Sequence, residues 1–97
     1  MNYKEELRKA IEYLHKVEST HVASVAVKET GPSRVPWNGV VEVFDLEGHL
    51  LANRAYAWVH RPGELNERYV TVLHIKPVVS PVTAVRAGIE RDFRNCL

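Results

Sequence analysis

The chain has 97 residues, 45% hydrophobic and 26% charged, with 13 basic against 12 acidic side chains and a net charge of +1. That length supports one core and a single domain, residues 1–97, because a second core would have too little apolar surface to hold together. Near-balanced charge without a block of one sign speaks against strong phosphate-backbone affinity, and no run approaches the ~20 apolar residues of a membrane span.

Residues 2–18 read as an amphipathic helix. Tyr3, Leu7, Ala10, Ile11, Leu14 and Val17 recur at spacings of three and four, with Lys4, Glu5, Arg8, Lys9, Glu12 and Lys16 opposite. Asn2 can cap it, with Glu5 in the capping-box position. The pattern breaks at Ser19-Thr20. His21–Lys28 alternates as a strand does, although its alanines leave a helical continuation open. Gly31–Pro36 is a loop by composition. Gly39–Leu46 is a β-branched second strand, and Asp45-Leu46-Glu47-Gly48-His49 carries a hairpin signal. Leu50–His60 follows as the third strand, Arg61–Glu67 as a polar loop, and Arg68–Ile75 as the fourth strand. Pro77 ends the sheet. Ser80 stands at an N-cap and Pro81 at the first helical position, followed by Val82, Val85, Ile89 and Phe93 along one helix face. Gly88 weakens that helix but allows close approach to the sheet. Cys96, the single cysteine, permits no internal disulfide, and Met1–Glu6 lacks the apolar segment of a secretory signal, so a cytoplasmic protein is expected.

The fold class expected is α+β in the order α-β-β-β-β-α, an antiparallel sheet with both helices packed on one face. If Asp45 opposes His49, odd positions of the second and third strands share a side. That side holds Val41, Val43, Leu51, Ala55, Ala57 and Val59, joined by Thr71, Leu73 and Ile75, and is assigned to the core. The even side carries Val40, Glu42, Phe44, Arg54, Tyr56, Trp58, His60, Arg68, Val70, Val72 and His74, apolar at its centre and charged at its margins. Left bare, it would be a larger apolar patch than soluble monomers carry. The expectation is therefore a non-enzymatic homodimer that also binds a protein or small-molecule partner on this aromatic face.

Other chemistries on that face are weaker. His60, His74 and Glu42 could form a divalent-metal set, but no HxH or HxxxH spacing is present, so no metal and no cofactor is expected. The same three residues with Tyr56 could do acid–base work, given a pocket beneath residues 30–38. Tyr56 and Trp58 beside Arg54 and Arg68 could stack single-stranded nucleic acid, against which stand Glu42 and the near-zero net charge. Asp45, Glu47 and His49 read as solvated turn residues.

Trp37–His49, then Arg54-Ala55-Tyr56-Ala57-Trp58, Tyr69–Leu73 and Ser80-Pro81, resemble stretches of small uncharacterised bacterial proteins, some carried on mobile gene cassettes. The resemblance implies a bacterial cytosolic protein and brings no assigned activity. The element order is also similar to that of the double-stranded RNA-binding domain, with one extra strand. That family's second helix opens with a phosphate-gripping lysine cluster, whereas Ser80-Pro81-Val82-Thr83-Ala84-Val85 has none, so RNA binding in that mode is not expected.

Overall fold

A computed structural model describes residues 3–30, 36–60, 65 and 67–95. The cap at Asn2, most of the two loops (Gly31–Val35 and Arg61–Glu64) and Cys96 lie outside the described residues, as do the side chains from Glu90 onward, Phe93 among them. Helix α1 spans Tyr3–His15, β1 Glu18–Thr30, β2 Pro36–Glu47, β3 Arg54–His60, β4 Arg68–Leu73 and α2 Pro81–Asn95. The α+β class and the element order follow the sequence expectation, and the strands form one antiparallel sheet in the order β1-β2-β3-β4. His21–Lys28 lies within β1, so the strand reading of that stretch holds.

Helix α1 buries Leu7 and Ile11 and ends where Lys16 turns to a φ of 56°, the left-handed conformation that closes a helix. The Glu12 carboxylate accepts the Ser19 backbone N–H at 2.8 Å, which ties the start of β1 to the helix end. At the other end of the chain, α2 is capped reciprocally. Ser80 Oγ accepts the Thr83 N–H at 3.2 Å, and Thr83 Oγ1 accepts the N–H groups of Ser80 and Val79, both at 2.9 Å. Ser80 and Pro81 thus hold the positions expected of them, with Thr83 supplying the returning acceptor.

The two helices lie on opposite faces of the sheet. Tyr56 and Trp58 are buried with Val41, Val43, Val70 and, from α2, Ala84 and Val85. Ala55 and Ala57 are buried with Phe44, Leu46 and, from α1, Leu7 and Ile11. Successive strand residues point to opposite sides, so these clusters are the two sides of one sheet. The expectation of both helices on one face is therefore corrected. The reason shows in β3, where four consecutive residues, Ala55 to Trp58, are buried: a strand apolar on both sides needs a layer on each. Gly88 makes the α2 layer possible. A Cβ there would stand 2.8 Å from Cζ2 of Trp58, so the indole occupies the space a side chain would need.

The parity of β2 is also corrected. Val43 pairs with Tyr56 and Phe44 with Ala55, whereas Asp45 opposite His49 would have set Val43 against Leu51, a displacement of five residues. β2 runs on to Glu47 and β3 begins only at Arg54, so residues 48–53 form a wide connection in place of a tight hairpin. Because side chains alternate with period two, a displacement by any odd number of residues turns every side chain of a strand over. Phe44 and Glu42 consequently face α1, and Val41 and Val43 face α2.

Candidate functional site

The connection between β2 and β3 is built to hold its shape. Gly48 supplies a φ of +95°, a conformation that a side chain would strain. Nδ1 of His49 accepts the backbone N–H groups of Leu51 and Ala52, each at 3.0 Å, and Leu46 N–H donates to Asn53 O at 2.9 Å. Ala52 is buried beneath this turn, whereas Leu50 is 99% and Leu51 77% exposed. Burying one leucine is worth about 1.5–3 kcal/mol. Here two are held in water by a turn whose own bonds fix their place.

The end of α1 lies beside this turn. His15 meets His49 edge-on, with ring centroids 5.9 Å apart, and the helix's last turn leaves Leu14 and Tyr13 exposed. Nε2 of His15 is buried without a hydrogen-bond partner among the described residues. Burial, and then the neighbouring His49, holds His15 below the ordinary imidazole value. Lys16 lies 5.0 Å over the Tyr13 ring, a cation–π contact at the same end.

On the α2 side of this end an open cleft of about 550 Å³ is lined by Asp45, Leu46, Glu47, Asn53, Arg54 and His74. Arg54 Nε donates to Asp45 Oδ1 at 3.0 Å, and the Tyr56 hydroxyl lies 2.6 Å from Nδ1 of His74. Burial pushes the Tyr56 hydroxyl above the usual phenol value, opposed by the adjacent Arg54 guanidinium. The cleft thus brings together Arg54 and His74, both picked out in the sequence, with Tyr56 held against His74 and an acid already paired to the arginine.

A second polar group lies on the α1 side. Oε1 of Glu42 accepts from the Ser24 hydroxyl and lies 2.7 Å from His21 Nε2, with Glu42 itself 9% exposed. Serine and carboxylate meet the same ring nitrogen, at 3.3 and 2.7 Å, so the histidine cannot take a proton from one while being oriented by the other. The cluster anchors a carboxylate and is no nucleophilic relay. Neither His21 nor Ser24 stood out in the sequence, because only the β1–β2 pairing, with its irregularity between His21 and Ala23, brings them to Glu42.

The remaining sequence candidates separate. Tyr56, Trp58, Val70 and Val72 lie under α2, so the aromatic face expected to be bare is covered within the chain and cannot stack a base or meet a second molecule. Phe44 is fully buried on the α1 side. His60 pairs with Arg68 at one end of the β3–β4 ladder, whereas His74 donates its N–H to Arg54 O at the other. Six residues of strand put those histidines roughly 20 Å apart, and Glu42 faces the opposite side. They form no common metal or acid–base site, and no group of three or more metal-binding side chains occurs among the described residues. No helix among the described residues is long and apolar enough to cross a membrane. Comparison of the chain with protein-family models, with curated proteins and with solved structures finds no match.

Proposed function

We propose that this is a non-enzymatic protein that self-associates end to end through the turn at residues 48–53. The observation that carries the reading is the pair Leu50 and Leu51, presented to water by a turn that His49 and Gly48 hold in one conformation. A preordered apolar pair loses little freedom on binding, which is how interface anchors gain their effect. A second copy is the occupant because this end carries both signs of charge. Glu18 and Glu47 close the β1–β2 ladder, and Lys16 ends the helix beside them, so a two-fold axis can set acid against base.

Four leucines across such an axis contribute roughly 6–12 kcal/mol, against at least ~4 kcal/mol for the lost freedom of two molecules. The dimer is therefore weak, populated as concentration passes through about 100 μM. Sedimentation of the wild type and of Leu50→Ser/Leu51→Ser tests this. The double variant changes only side chains already in water, so it should fold normally and stay monomeric. Equal association of the two proteins would remove the reading.

A further inference from the structure

The imidazole of His49 fastens the turn. Its Nδ1 accepts two backbone N–H groups, those of Leu51 and Ala52, at 3.0 Å each. A ring nitrogen accepts only while it keeps its lone pair, so the arrangement requires the proton on Nε2. The imidazolium has N–H on both nitrogens and would point a donor at two donors. His15 stands edge-on at 5.9 Å with its Nε2 buried and without a partner among the described residues, so a charge on either ring is opposed by the other. His15 is already held below the usual imidazole value, chiefly by burial.

The other charged groups at this end are few. From α1 comes Lys16, engaged over Tyr13; from β1 and β2 come Glu18 and Glu47, opposite each other and exposed. Asp45 and Arg54 are paired with each other on the α2 side. None of these groups replaces the acceptor that Leu51 and Ala52 would lose.

We propose that protonation of His49 opens the 48–53 turn and withdraws the Leu50–Leu51 pair, so that the end contact forms at neutral pH and is released in mild acid. The release rests on the self-association reading above, whereas the opening does not.

Amide hydrogen exchange at Leu51 and Ala52 tests the opening. It is read as protection factors, so that the intrinsic pH dependence of exchange cancels, in dilute wild type and in His49→Asn, at about pH 7.5 and about pH 5. Asparagine keeps an oxygen able to accept a backbone N–H two residues on and does not titrate. Wild-type protection at both amides should fall about tenfold in acid, as two lost hydrogen bonds predict, while the variant's stays level. The ¹⁵N signal of His49 Nδ1 should move with the same midpoint, a readout that needs no variant. Constant wild-type protection, or an equal fall in His49→Asn, would overturn the opening. Sedimentation of concentrated wild type at both pH values tests the release. A dimer that dissociates in acid supports it, and one that persists overturns it. A monomer at both, with acid-sensitive amides, overturns the release and self-association together and leaves the opening standing.

Discussion

At the residue scale, Trp58 fits tightly against Gly88. The helix residue lacks a side chain because the indole stands where one would be, 2.8 Å from the ideal Cβ position. Gly88→Ala gains about 1 kcal/mol of helix propensity and forces a buried, rigid ring aside at a cost of about 1–3 kcal/mol. The expected outcome is a net loss of stability of up to about 2 kcal/mol in urea unfolding. A stabilised variant would show that the ring yields freely. The close approach was legible in the sequence from a glycine within an otherwise regular apolar pattern. What it approaches was not, since that required knowing which way Trp58 points.

Two of the titrating groups that shape the pH response, His15 and Glu12, make a separable prediction at this scale. His15 lies below its unfolded value, so its contribution to stability is complete above about pH 6.5 and is lost as pH falls through that value toward the folded one. Glu12 is also lowered, first by the Ser19 backbone N–H and then by the Ser19 hydroxyl and Arg8, so its contribution disappears only in stronger acid, below the ordinary carboxylate range. Thermal melting should therefore weaken in two steps on acidification. His15→Leu should shrink the first and leave the second; an unchanged first step would contradict the assignment.

At the scale of elements, the cap of α2 makes a separable prediction. Thr83 Oγ1 accepts two N–H groups that would otherwise be orphaned at the helix start, so Thr83→Val should cost about 1 kcal/mol. Chemical denaturation measures it, and a neutral result would mean that water replaces the hydroxyl at no cost. Ser80-Pro81 announced this cap because capping is local chemistry. The two helices and four strands were legible for the same reason: each carries its own period. The β2–β3 register was not. Gly48 and Asp45 signalled a turn correctly, but Leu50 and Leu51 read as strand because nothing local distinguishes two leucines in a strand from two held out of one. The odd displacement of the register, five residues, then assigned Phe44 and Glu42 to the wrong side. Cross-strand pairing is long-range, so His21 and Ser24 could not be placed beside Glu42 from the chain alone.

At the scale of the whole molecule, one sheet is covered on both sides by its own helices, and the aromatic residues that look sticky in one dimension form the interior. Arg54, Tyr56 and His74 do converge, at the margin of the α2 layer and beside the cleft. Exposed apolar residues stand singly elsewhere, Leu65 and Val40 among them, but Leu50, Leu51, Tyr13 and Leu14 gather at one end, where the β2–β3 turn meets the last turn of α1. Among the described residues the packing leaves Leu50 and Leu51 largely in water, and a turn held by His49 keeps them exposed. Contact with a second copy is the use proposed for this end.

Sedimentation equilibrium across a concentration series at neutral pH tests this most directly, comparing wild type with Leu50→Ser/Leu51→Ser. The wild type should rise from its 11.1 kDa monomer mass toward twice that value as concentration passes through about 100 μM, while the double variant stays at the monomer mass. A wild type that remains monomeric throughout, or a double variant that associates equally well, would contradict the account.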